Sequence, residues 1–280
     1  MSRRGLVLGG GGVAGIAWET GVVAGLAEAG VDLLAADLIV GTSAGSTVAA
    51  QITSGLSLDD LMRRQTDPAS QAPELAAVLD ADAVTALFTD AYAEAGGDLV
   101  ALRRRIGALA LEAPTVGEAE RREVIAARLP SHIWPDRAVK IVAVDAHTGD
   151  ERVFDRDSGV DLVDAVAASC AVPLTWPPVT IGDRRYIDGG VRSAENADLA
   201  AGCDRVLVLQ VMEIAGNDEL GKQVDGLRAA GAHVSVVRPD QASLDAIGPN
   251  ALDPAVRAPA AKAGREQGLR IAAEVAGLWN

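Results

Sequence analysis

A serine, an aspartate and a run of glycines carry the chemistry that this sequence can do. Ser43 stands in Val40-Gly41-Thr42-Ser43-Ala44-Gly45, a G-x-S-x-G stretch between an apolar run at 37–40 and a helix-like run at 44–52. A strand that stops and turns at once into a helix pushes one side chain out of the corner. Gly41 and Gly45 leave the room such a turn demands. The hydroxyl at the corner would sit at the positive end of the following helix. The pattern reads as an elbow with Ser43 as nucleophile; the plainer reading is a glycine-bounded turn with a solvated serine.

A serine hydroxyl needs a base. The chain holds only three histidines, His132, His147 and His233, placed by the pattern between a helix and a strand, in a hairpin turn and before a strand. Each fits a structural or solvated role. Asp188 is the better base: it closes a strand-like run and is followed by Gly189-Gly190, which let the backbone turn and a substrate approach. An ordinary carboxylate, with a pKa of about 3.9, is a weak base, and partial burial would make it a stronger one.

The third part is Gly9-Gly10-Gly11-Gly12, opening a helix. Bare amides there could receive the negative oxygen that acyl transfer creates, with Gly10, Gly11 and Gly12 as donors. The same stretch, Gly10-x-Gly12-x-x-Gly15, also fits a phosphate-cradling loop. The following strand, however, ends in Gly41-Thr42-Ser43 and not in the acidic residue that would hold a ribose.

These parts need a scaffold to position them. Residues 5–8 read as a strand, 16–28 as a helix closed by Gly30, and 37–40 as a second strand, so the chain begins as an α/β unit with parallel strands. Residues 55–135 lack strand patterning. Amphipathic helices are expected there at 59–65, 76–90 and 98–111, and Thr115-Val116-Gly117-Glu118 reads as a capping box for another helix ending at 129. Strand patterning resumes at 138–146, with a hairpin turn at 147–150 into a strand at 151–154. A helix is expected at 160–170. A strand pair at 178–181 and 184–187 leads to Asp188, and Asn196 could cap a short helix. Further expectations are a strand at 205–211, a helix at 217–230, a strand at 233–237 and a closing helix at 255–278. Together these give one domain, 1–280, with a helical insertion at about 55–135.

Composition narrows the partners. The formal net charge of −14 argues against nucleic acid and gives no pull toward an anionic membrane. Cys170 and Cys203 make no disulfide framework and no metal-ligand spacing. No apolar run reaches the roughly 18 residues of a membrane span, and no signal-peptide core follows Arg3-Arg4. A cytoplasmic protein with at most transient membrane-surface contact is expected.

In combination, Gly10-Gly11-Gly12-Val13-Ala14-Gly15, Gly41-Thr42-Ser43-Ala44-Gly45 and Asp188-Gly189-Gly190 resemble the motifs of the patatin-like phospholipase family. Ala168-Ser169-Cys170-Ala171-Val172-Pro173 is similar to that family's A-S-x-A-x-P helix end. The resemblance implies a three-layer α/β/α fold with a mostly parallel central sheet. It also implies a lipid or carboxylic-ester hydrolase with a Ser43–Asp188 dyad, an oxyanion hole at Gly10, Gly11 and Gly12, and no metal or cofactor. Many family members carry Arg or Lys at the position of Ala14, a cation that could hold a charged head group. Two other readings stay open: a Ser43-Asp188-His233 triad of the α/β-hydrolase kind, and a nucleotide-binding protein using the glycine loop.

Overall fold

The computed structural model describes residues 2–75, 91, 94–213 and 218–279. Eight strands make one sheet: β1 (Arg4–Leu8), β2 (Leu38–Thr42), β3 (Ala138–Asp145), β4 (Glu151–Phe154), β5 (Val179–Ile181), β6 (Arg184–Asp188), β7 (Arg205–Leu209) and β8 (His233–Val237). β3, β2, β1, β7 and β8 run parallel in that order, while β4 and β6 pair antiparallel with β3 and β5 with β6.

One register detail sets the site. β4 pairs with residues 141–144 of β3, β2 with 138–142 and β6 with 143–145. A strand has only two edges, so with β4 on one, β2 and β6 share the other. β2 climbs that edge to Thr42, opposite Val142; β6 descends it to Asp188, opposite Ala143. The two strands meet head to head.

Alternation along the strands divides the core between two faces. Leu6, Leu8, Ile39, Leu207 and Leu209 point to one face, where α1 (Gly12–Glu28), α2 (Ala44–Ile52), α6 (Leu162–Ser169) and α9 (Arg257–Trp279) cover them. Val7, Leu38, Val40, Val206 and Val208 point to the other, under the 3-10 turn Ala197–Ala200 and α7 (Glu219–Ala229). This is the expected three-layer arrangement. α1 is buried nearly all round. It lies tightly on α9, where a Cβ at Gly21 or Gly25 would overlap backbone of 261–269, and one at Gly264 or Gly268 would overlap backbone of α1.

The regular structure described within 55–135 is helical, with turns and extended links between: α3 (Leu58–Thr66), α4 (Leu99–Glu112) and α5 (Glu118–Arg128). The helix expected at 76–90 lies outside the described residues. Several expectations are corrected. α1 starts at Gly12, four residues early, so the glycine run is itself the helix entrance. The capping box does not form: Gly117 is the cap residue, and the Glu118 carboxylate is drawn instead to the Thr180 amide and hydroxyl at 2.5 and 3.0 Å. α8 (Gln241–Ile247), capped by Asp240 accepting from the Ser243 amide, was not expected. Asn196 does precede a short helix, but its side chain makes no cap.

Candidate active site

Ser43 sits between β2 and α2 with φ 52° and ψ −116°, a left-handed conformation that a non-glycine residue holds only under constraint. The constraints are visible. The Ser43 amide donates to the Ser169 hydroxyl at 2.9 Å, and its carbonyl accepts from the Ser46 hydroxyl at 2.6 Å and the Cys170 thiol at 3.2 Å. The A-S-x-A-x-P helix end therefore holds the elbow from below. At Gly45 α2 passes so close to β1 that a Cβ would overlap the Leu8 carbonyl, and the Gly45 amide donates to Gly9 O at 2.9 Å.

Asp188 reaches the same corner by a different rule from the one its position at a strand end suggests. Parallel α/β sheets gather sites at the carboxyl ends of their strands, but β6 runs antiparallel. The head-to-head meeting along β3 is what sets Asp188 beside Ser43. Asp188 is 4% exposed. Its Oδ1 accepts from the Gly190 amide at 2.7 Å, while Oδ2 is buried with no hydrogen-bond partner among the described residues. Burial pushes the carboxyl up to about 7, against the lowering effects of the Gly190 amide and the Ser43 hydroxyl. The hydroxyl is thus near enough to act on the carboxyl, although the two do not complete a hydrogen bond of normal geometry. A carboxyl with a free lone pair and a pKa near neutrality can take a proton from a neighbouring hydroxyl.

The glycine loop abuts the serine: a Cβ on Gly10 would stand 3.5 Å from Ser43 Cβ. The Gly10 amide, however, donates to Ala194 O at 2.8 Å. This corrects the expectation that it serves an oxyanion. The amides of Gly11 and Gly12 find no acceptor among the described residues, nor does that of Ala44, first in α2. Gly12 takes φ 62°, which glycine adopts without strain. Gly15 lies against Ala44 and serves helix packing. Gly189 crosses β3 where a Cβ would overlap the Val142 carbonyl.

Several residues for which the sequence suggested no part in the site hold these parts together. Asn196, fully buried and at φ 53°, donates from Nδ2 to Thr42 Oγ1 at 3.0 Å and to the carbonyls of Ser193 and Gly189 at 2.7 and 3.4 Å. Its Oδ1 accepts from Arg192 at 2.6 Å. One side chain thus ties the elbow to the aspartate turn. Asn196→Asp would set a carboxylate against a hydroxyl oxygen and two carbonyls. kcat is expected to fall on the order of a hundredfold with a smaller change in KM, checked by steady-state kinetics beside urea melts. Behind the loop, Glu19 accepts from the Gly9 amide at 2.8 Å, and Glu195 lies against Gly9. Burial raises both carboxyls, Glu195 to about 7.

All three histidines are exposed. His233 pairs with Arg205, which pairs with Arg4, at the amino ends of their strands and so at the opposite end of the sheet from Ser43. The triad reading fails on that geometry. Among the described residues no cluster of three His, Cys, Asp or Glu side chains could hold a metal ion.

The model of one known family, patatin-like phospholipase, matches residues 6–201. No curated protein matches the chain. Among solved structures, VipD from Legionella pneumophila aligns at 15% identity over 98% of this chain and 67% of its own length, with a TM-score of 0.52. ExoU from Pseudomonas aeruginosa, in complex with SpcU, aligns at 14% identity over 100% of this chain and 53% of its own, at 0.45. The first supports the fold; the second is too distant to carry an argument. The family match spans well over half of the sequence, and the chain belongs to the patatin-like phospholipase family, which makes it an ester-bond hydrolase.

Proposed function

We propose that this protein is a serine acyl hydrolase acting on lipid and related carboxylic esters, through Ser43 and Asp188 without a histidine. The observation that carries the reading is a buried carboxyl with one unpartnered oxygen, set beside a serine held at left-handed φ. Asp188 takes the Ser43 proton as Oγ attacks the ester carbonyl. The carbonyl electrons move onto oxygen, where the Gly11, Gly12 and Ala44 amides and the positive ends of α1 and α2 receive them. Each such donor is worth about 3–4 kcal/mol. Gly10 keeps the loop close to Ser43. Asp188 then gives the proton to the alcohol oxygen as the C–O bond breaks, leaving an acyl group on Ser43. Water, losing a proton to the same carboxylate, attacks the acyl carbon; the proton returns to Ser43 Oγ as the acid leaves.

The sheet and the helices of 55–135 act as one domain in this reading. No described helix is long and apolar enough to cross a membrane. The acidic surface fits a cytoplasmic protein that touches lipid surfaces only in passing. A fluorophosphonate probe tests the reading. Labelling at Ser43 alone, absent in Ser43→Ala together with p-nitrophenyl butyrate turnover, is expected. Labelling mapped to another residue, or turnover surviving Ser43→Ala, would reject it.

A further inference from the structure

Three arginines from separate parts of the chain line one small cavity beside the glycine loop. Arg64 comes from α3, Arg128 from α5 and Arg257 from the first turn of α9, with Val13 of α1 and Gln51 of α2 on the same wall. A fourth, Arg121, joins Arg128 and Arg257 in pairing with one carboxylate, Glu74. The side chains of Arg121, Arg128, Arg257 and Glu74 are all at least nine-tenths buried. Among the described residues, three guanidiniums on one carboxylate leave two positive charges without a counter-ion, an arrangement that burial penalises strongly.

Neutral groups take some of the donors. Arg257 donates to Ala72 O at 2.7 Å, Arg64 to Ala127 O at 2.8 Å, and Arg121 lies 3.7 Å from the centre of the Trp176 ring. None of these carries a formal charge. Among the described residues, Arg121 Nε remains buried without an acceptor, and Gln51 Oε1 without a donor. The chain as a whole is acidic, at −14, so a positive interior is local to this place. The cavity is small, about 20 Å³, and opens to solvent. It suits a compact ion and not an acyl chain.

We propose that this cavity binds a phosphate-type oxyanion, held by Arg64, Arg128 and Arg257. Guanidinium forks match such an anion in charge and shape. The site adjoins the chemistry: Val13 follows Gly12 directly, and the Arg128 charge acts on Cys170, whose thiol donates to the Ser43 carbonyl. Resting on the acyl-hydrolase reading, the anion is the phosphate of a lipid head group, and these arginines supply the cation that Ala14 does not. Free inorganic phosphate offers the same chemistry.

Thermal melts of the full chain in inorganic phosphate, against chloride at equal ionic strength, test the site without turnover. Phosphate is expected to raise Tm in the wild type, with the rise lost in Arg257→Gln and reduced in Arg64→Gln. Arg64 lies at the rim outside the Glu74 cluster, so Arg64→Gln carries the test if Arg257→Gln folds poorly. Turnover separates the two sources. With a head group as ligand, Arg64→Gln lowers kcat/KM about tenfold more on dihexanoyl phosphatidylglycerol than on p-nitrophenyl butyrate. With free phosphate as ligand, both esters respond alike and the melt response stands. Either result supports an oxyanion site. A wild-type Tm indifferent to phosphate, or a shift undiminished in both variants, overturns it. Turnover independent of Ser43, with the melt response intact, would count against the hydrolase reading alone.

Discussion

In an Asp188→Asn variant, ester turnover is expected to fall roughly a thousandfold or more while the protein gains stability above pH 7. Asparagine keeps an oxygen for the Gly190 amide but turns an NH2 donor, and no basic oxygen, toward the Ser43 proton. The stability gain follows from the carboxyl's raised pKa. Folding lifts it from 3.8 to about 7, so the native state binds the proton more tightly than the unfolded chain. The contribution is fully present below the unfolded value, shrinks as pH rises between the two, and is gone above about 7. At pH 8 the buried carboxylate costs on the order of 4 kcal/mol, much of which asparagine recovers. The wild type should also show kcat/KM rising with pH to a plateau, with a midpoint near 7, since only the ionised base works. Paired pH profiles and urea melts check both halves. A midpoint near 4 would mean that Asp188 is solvated, and an unchanged rate in the variant would remove it from the chemistry.

Gly45→Ala is expected to cost roughly 3 kcal/mol or more and to take activity with it. The added methyl would run into the Leu8 carbonyl, which is backbone in the middle of the sheet and cannot swing aside. α2 would have to lift from β1, carrying Ser43 with it. Gly226→Ala is the control: that glycine lies within α7 with nothing near its missing Cβ, and alanine there should stabilise by about 0.5–1 kcal/mol. Urea midpoints of the two variants give the comparison. A loss under 1 kcal/mol at position 45 would show that the elbow is not wedged as described.

The elbow was legible in the sequence because everything that makes it is local. Strand, glycines, serine and helix follow one another in a dozen residues, and α2 spans the run that the pattern marks. What failed to show was set by partners far along the chain. Glu118 was read as closing a capping box with Thr115, but Thr180, 62 residues away, takes its carboxylate. Gly10 was read as a free donor, but Ala194 O sits across from its amide. α8 was missed because seven residues are too few for an apolar period to declare itself. Asp188 lies beside Ser43 for a reason that its place at a strand end did not give, since no sequence pattern tells that β6 descends an edge that β2 has just left. The buried arginines escaped notice because net charge averages over a chain whose surface is acidic.

The tight crossing of α1 on α9 reaches past the part of the chain that the family model covers. α1 opens with the very amides assigned to the oxyanion, and its middle is seated on a helix lying wholly beyond residue 201. The last helix is therefore the bedplate of the proposed reaction centre. A bulky side chain at Gly264 or Gly268 would be felt as a tilt of the catalytic roof many ångströms away, although neither position bears any recognisable motif.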